Sequence, residues 1–130
     1  MRDRDRTTIL YLDDDPGCLE VFAQTFGDEY EVRTAATAEQ ARRALAGCRF
    51  DVVISDQVMP RISGAAFLRE VAQVYPEINR ILLTGGAPVG AVVGEVASGV
   101  IHGFITKPWA GADIRRALER VRLRAPAALI

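Results

Sequence analysis

Short apolar runs alternate strictly with longer amphipathic stretches along this chain, and that rhythm constrains its fold more than any other feature. Parallel strands need a crossover of a dozen or more residues, so the alternation predicts a parallel sheet with helices on both faces. Strands are expected at about Thr8–Leu12, Glu31–Thr34, Asp51–Ser55, Arg80–Leu83 and Gly103–Thr106. The third is almost wholly apolar and belongs at the centre. The first helix follows Pro16, with Leu19, Phe22, Ala23 and Phe26 at helical spacing and Gly27 just past its end. Thr37-Ala38-Glu39-Gln40 reads as a capping box, Thr37 being the N-cap and Gln40 reaching back. That second helix runs to about Ala46, with Ala41, Ala44 and Leu45 inward and Gly47 as its stop. A turn over Met59–Gly64 leads into a third helix carrying Phe67, Leu68, Val71 and Val74, which ends before Pro76. A fourth, about Val89–Ala97, has the weakest signal, since Gly90 and Gly94 each cost about 1 kcal/mol against alanine. The fifth has a stripe of Ile114, Ala117, Leu118 and Val121, with arginines between Arg115 and Arg124 over the rest, and Pro126 is expected to end it.

The 130 residues suit a single domain over residues 7–124, between a charged N-terminal tail (1–6) and a short C-terminal tail (125–130). A net charge of −1 exerts no general pull on nucleic acid or anionic membrane. No apolar stretch approaches a membrane span, and the charged start lacks a signal-peptide core, so a cytoplasmic protein is expected. Cys18 and Cys48 fall in separate expected helices without metal-ligand spacing and read as buried, reduced thiols. The Arg115–Arg124 cluster reads as a solvated helix face, because no DNA-reading helix pair or aromatic platform accompanies it.

The residues with chemistry stand at strand ends. Asp13, Asp14 and Asp15 follow the first strand, Asp56 the third, Thr84 the fourth, and Lys107, the only lysine, the fifth. An open α/β sheet builds its site at the carboxyl ends of strands, at the point where strand order reverses. In the order 2-1-3-4-5, the first and third strands are neighbours, which brings Asp13, Asp14 and Asp56 into one pocket. Converging carboxylates repel, and a bound cation relieves them. Hard oxygen ligands favour Mg²⁺, with Asp14 and Asp56 as direct ligands and Asp13 direct or through water. Asp15, before Pro16, reads as a helix cap instead. Asp56 is the candidate nucleophile: a carboxylate attacking phosphorus forms an aspartyl phosphate. Such transfer is mostly positioning and charge neutralisation, to which the Lys107 ammonium would contribute. The Thr84 hydroxyl would donate to the phosphoryl group, and the glycines after it leave room beside an anion.

Ile9-Leu10-Tyr11-Leu12-Asp13-Asp14-Asp15-Pro16, Ser55-Asp56-Gln57-Val58-Met59-Pro60, Leu83-Thr84-Gly85 and Lys107-Pro108-Trp109 together resemble the receiver domain of two-component response regulators. The resemblance covers about Thr7–Arg124, and its Lys-Pro-Trp ending is like that of receivers fused to transcription activators, phosphodiesterases or kinases. It implies a flavodoxin-like (βα)5 three-layer sandwich. It implies Asp56 as phosphoacceptor and Asp13, Asp14, Asp56 and the Val58 backbone carbonyl as a Mg²⁺ site. Thr84 and Lys107 would sense the phosphoryl group, Phe104 would be the aromatic switch residue, and the Lys107–Pro108 bond would be cis. The phosphodonor would be a sensor histidine kinase or a phosphotransfer protein. The chain would be no enzyme beyond catalysing its own phosphorylation and dephosphorylation. Phe104 departs from the commoner tyrosine and lacks a hydroxyl. Val58 and Gly86 offer no polar group to orient a hydrolytic water, so slow loss of the phosphoryl group is expected.

The signal would leave through the face made by the fourth helix, fifth strand and fifth helix, toward an output domain, a downstream protein or a second copy of the chain. Val89, Val92, Val93 and Val96 lie on more than one face of that fourth helix, and its weak propensity suits movement. Two rivals remain. An aspartate-nucleophile phosphatase would carry Asp-x-Asp-x-Thr after its first strand, but Gly17 stands where the threonine belongs. A phosphate-independent interaction module of the same fold is the other.

Overall fold

The computed structural model describes residues 6–85, 94, 96 and 98–129, with side chains placed through 121. Strands β1 (Thr8–Leu12), β2 (Glu31–Ala35), β3 (Val52–Asp56), β4 (Asn79–Thr84) and β5 (Gly103–Thr106) form one parallel sheet in the order β2-β1-β3-β4-β5. Helices α1 (Pro16–Phe26), α2 (Ala38–Gly47) and α3 (Gly64–Val74) and a C-terminal helix (Gly111–Leu129) cover it. This is the parallel sheet flanked by helices that the alternation predicts, and the flavodoxin-like three-layer sandwich that the resemblance implies.

The period of two along each strand divides the core. Ile9, Tyr11, Val52, Ile54, Ile81 and Leu83 meet Phe22 and Phe26 of α1 and Ile114, Leu118 and Val121 of the C-terminal helix. Leu10, Leu12, Val53 and Leu82 meet Ala41 and Leu45 of α2 and Phe67, Leu68 and Val71 of α3. Each valine, leucine, isoleucine or phenylalanine among them, when fully buried, contributes about 1.5–3 kcal/mol. The chain reverses its direction of winding between β1 and β3, whose ends pair Leu12 with Ser55, so the segments that follow diverge and leave a crevice.

The helix starts agree with their signals. Asp15 caps α1, its carboxylate accepting from Gly17 N–H at 2.9 Å, and Pro16 occupies the first helical position. Thr37 Oγ1 accepts from Gln40 N–H at 3.1 Å, a cap typically worth about 1 kcal/mol. The capping box itself is altered. Gln40 Oε1 accepts from Ala36 N–H at 2.8 Å, one residue before the expected target, because that amide faces the side chain as the chain leaves β2.

Other expectations need correction. Val74 is 61% exposed, and the next residue, Tyr75, packs against the core in its place. Cys48 lies just past α2 and is exposed, and Cys18 is half-buried, so neither is a core thiol. Pro126 does not end the C-terminal helix, which continues to Leu129. Proline's fixed φ suits a helix, its missing N–H removes one bond near the end, and the flanking alanines favour helix. Ala125–Leu129 is thus helical. Arg6, in the expected N-terminal tail, is tied to the chain after α1: its Nη2 donates to Gly27 O and Tyr30 O, each at 2.6 Å. The expected fourth helix lies largely outside the described residues, as does Gly86. Gly94 and Val96 are helical, and Ser98 N–H donates to Gly94 O at 2.9 Å.

Candidate functional site

The crevice between β1 and β3 gathers the carboxylates that the sheet order predicts. Carboxylate oxygens of Asp13, Asp14 and Asp56 all lie within 4.8 Å of one another. Asp13 and Asp56 are buried, at 1% and 7% exposure, and Asp14 is open to solvent. Asp56 is the last residue of β3, where the sheet ends and its side chain enters the crevice. Lys107 Nζ arrives from the end of β5, 2.9 Å from Asp56 Oδ1 and 3.1 Å from Asp13 Oδ2. Its backbone is held by Lys107 N–H donating to Thr84 O at 2.7 Å, and the Lys107–Pro108 bond is cis, as expected.

Burial pushes the Asp56 carboxyl above its usual range. Lys107 pulls the other way, while Asp13 and Asp14 add to the upward push. Burial works against the Lys107 ammonium, but hydrogen bonds to Asp56 and Asp13 outweigh it and raise its pKa well above the ordinary lysine range. The acids share a single ammonium among the described residues of the cluster. A hard cation fits this donor set: the available atoms are carboxylate oxygens, with no thiolate or imidazole among the described ligands.

The other predicted residues lie at or beside the neighbouring strands. Thr84 ends β4, one position beyond Leu83, the partner of Asp56 across the ladder, and is half-buried. Val58 lies in the loop after β3 with its side chain 77% exposed. Phe104 pairs with Leu82 in the ladder and turns outward, 44% exposed.

Sequence reasoning passed over several contributors. The buried Tyr11 hydroxyl donates to Asp13 Oδ2 at 2.6 Å. The signal was available: an aromatic residue two positions before an acid lies on the same face of a strand. Burial, and then that hydrogen bond, raises the Tyr11 pKa far above its usual value, so the hydroxyl remains a donor. Gln57 braces the loop after Asp56, its backbone oxygen accepting from Gly64 N–H at 2.9 Å and its Oε1 from Ala65 N–H at 2.8 Å. At the opposite end of the sheet, Arg80, 5% exposed, donates to Val100 O and Ile78 O at 2.7 Å each. Its own backbone N–H donates to His102 Nδ1 at 3.0 Å. A charged residue opening a buried strand was the hint there.

Residues 9–119 match the family model described as response regulator receiver domain. The chain belongs to the response regulator receiver family. Curated relatives of this receiver include the hydrogenase transcriptional regulatory protein HoxA of Cupriavidus necator, 33% identical over 80% of this chain and 22% of that protein. Another is the C4-dicarboxylate transport transcriptional regulatory protein DctD of Rhizobium meliloti, 32% identical over 89% of this chain and 26% of that protein. The receiver therefore spans about a quarter or less of these relatives. Among solved structures, the signal receiver domain of an HD domain-containing protein from Pseudomonas fluorescens superposes with a TM-score of 0.86 at 29% identity, covering 94% of this chain and 98% of that one. The response regulator TrrA of Thermotoga maritima, solved in complex with Mg²⁺ and BeF, gives 0.76 at 25% identity, covering 88% and 98%. The family acts in two-component signalling. No described helix of this receiver is long and apolar enough to cross a membrane.

Proposed function

We propose that this receiver accepts a phosphoryl group on Asp56 from a phosphohistidine of a sensor kinase or phosphotransfer protein. The observation that carries the reading is Lys107 Nζ lying between Asp56 and Asp13 inside a three-carboxylate cluster. Three carboxylates against one ammonium leave two negative charges, which one Mg²⁺ would balance. Asp13, Asp14, Asp56 and the Val58 backbone carbonyl would hold it, and bound there it would neutralise charge on the transferring group.

The chain's own residues do the rest. An Asp56 carboxylate oxygen attacks phosphorus in line. The P–N bond to the donor imidazole breaks, its electron pair returns to the ring, and the ring keeps or takes up a proton. Lys107 leaves Asp13 to pair with a phosphoryl oxygen, and the Thr84 hydroxyl donates to another. Drawing Thr84 inward opens space for Phe104, whose outward side chain would turn in, and the face around β5 and the C-terminal helix repacks. That face would contact an output domain, a downstream protein or a second receiver. The reaction is confined to the chain's own phosphorylation and dephosphorylation. Val58 offers nothing to orient water, so the phosphoryl group should be lost slowly rather than within seconds in purified protein.

The test is incubation with acetyl phosphate and MgCl₂, read by intact-protein mass, beside Asp56→Ala. One added phosphoryl group in the wild type, absent from the variant and without metal, is the expected result. No adduct, together with no binding of beryllofluoride, would replace this reading with a phosphate-independent interaction module.

A further inference from the structure

Asp13 is held more firmly than a metal-facing carboxylate at the mouth of a crevice needs to be. Its Oδ1 accepts from Asp15 N–H at 3.0 Å, and its Oδ2 accepts from Tyr11 Oη–H at 2.6 Å and from Lys107 Nζ at 3.1 Å. The Asp15 amide and the Tyr11 hydroxyl grip opposite oxygens and thereby fix the plane of the carboxylate. Tyr11 is itself tightly packed. It is fully buried, stacks on Phe22 with centroids 4.3 Å apart, and Phe22 packs edge-on against Trp109 at 5.9 Å. A ring packed at this depth, with its hydroxyl bonded to an acid, holds that acid from below.

We infer that Tyr11 is a positioning residue for the divalent cation: its hydroxyl fixes the Asp13 carboxylate in the orientation that an octahedral ion requires. This rests on the Mg²⁺ reading above. When Lys107 swings toward a phosphoryl group, Asp13 loses one of its donors, and Tyr11 with the Asp15 amide keeps the carboxylate in place. The consequence is selectivity. Mg²⁺ demands near-ideal octahedral geometry, whereas Ca²⁺ tolerates irregular and expanded coordination. A carboxylate freed to rotate should therefore weaken Mg²⁺ far more than Ca²⁺. Groups that hydrogen-bond to metal-binding carboxylates typically contribute about 10–100-fold in affinity.

The experiment is titration of the whole chain with MgCl₂ and with CaCl₂ at constant ionic strength, followed by fluorescence of the single Trp109. Wild type, Tyr11→Phe and Tyr11→Leu are compared after urea unfolding has shown each to be folded. Tyr11→Phe keeps the stacked ring, so it tests the hydroxyl alone. Expected is a loss of about tenfold in Mg²⁺ affinity with much less change for Ca²⁺. Tyr11→Leu should show the same selectivity, because it lacks the same hydroxyl. Unchanged Mg²⁺ affinity in Tyr11→Phe, or equal losses for both ions, overturns the inference while leaving the metal site standing. A Mg²⁺/Ca²⁺ ratio that falls only in Tyr11→Leu assigns the effect to ring packing and also overturns it. A wild type that binds neither ion overturns both this inference and the reading beneath it.

Discussion

Replacing Gly64 by alanine measures how tightly α3 is seated on the strand that carries Asp56. Gly64 is the first residue of that helix, and its N–H donates to Gln57 O. An alanine Cβ there would overlap the Asp56 carbonyl oxygen outright, and would stand 2.9 Å from both the Asp56 carbonyl carbon and Leu82 Cδ1. Neither neighbour can step aside. Leu82 is fully buried in the core, and the Asp56 carbonyl is main chain, also held by the Ser55 hydroxyl at 3.0 Å. Overpacking of this kind costs about 1–3 kcal/mol, and main-chain contacts belong at the upper end. Better helix propensity and a less flexible unfolded chain return up to about 1 kcal/mol. The net loss is about 1–2 kcal/mol, a fall in Tm of roughly 3–10 °C for a domain of this size. Gly47→Ala is the control. Gly47 ends α2 with nothing within 4 Å of the added Cβ, so that variant should be neutral or slightly more stable. Urea unfolding followed by circular dichroism reads both. Equal stability of Gly64→Ala and Gly47→Ala would refute the close-seating argument. Since the clash falls on Asp56 itself, Gly64→Ala should also take up phosphoryl groups from acetyl phosphate more slowly.

Lys107→Ala leaves the buried Asp13 and Asp56 carboxylates without their cation and should cost about 1–3 kcal/mol in metal-free protein, a loss largely recovered with MgCl₂; thermal melts with and without metal check it. Glu70→Gln removes the exposed ion pair in which Arg42 Nε lies 2.6 Å from Glu70 Oε2. The Arg42 hydrogen bonds hold the Glu70 carboxyl below its usual range against partial burial, so the unfolded chain binds the proton more readily than the folded one. The pair's contribution is therefore present above the ordinary glutamate range and lost as pH falls through the folded value. Solvent screening limits it to about 0.5–1 kcal/mol near neutrality, and urea midpoints of variant and wild type should converge once pH has fallen below that folded value.

The elements that one period governs were legible in the sequence. The five strands, the caps Asp15 and Thr37 and the stripe Ile114–Val121 follow from local pattern, and sheet order then brings Asp13, Asp14 and Asp56 together. What was not legible depends on where an element lies against its neighbours. Val74 continues the α3 stripe, yet Tyr75 beside it takes the contact with the core. Cys48 reads as a buried thiol by sequence but is exposed just past the end of α2. Pro126 breaks a helix only if the lost bond matters, and near a terminus it matters less. The Gly64 seat is invisible to pattern reading, because it is a contact between a helix start and the end of a strand, whereas the spacing of Tyr11 and Asp13 hinted at a shared face without showing the hydrogen bond.

The hydrogen bond from Lys107 to Asp13 joins residues 94 positions apart. Asp56 completes the same cluster from the middle of the chain. Closing so long a loop has an entropic cost that no local segment can meet, so the cluster exists only when β1, β3 and β5 are all in register. Fraying of a helix leaves it intact, while loss of any one of these strands abolishes it. Whatever ligand occupies the crevice therefore draws its stabilisation from global unfolding alone. It should slow amide exchange in the central strands by one common factor and leave the helix ends untouched.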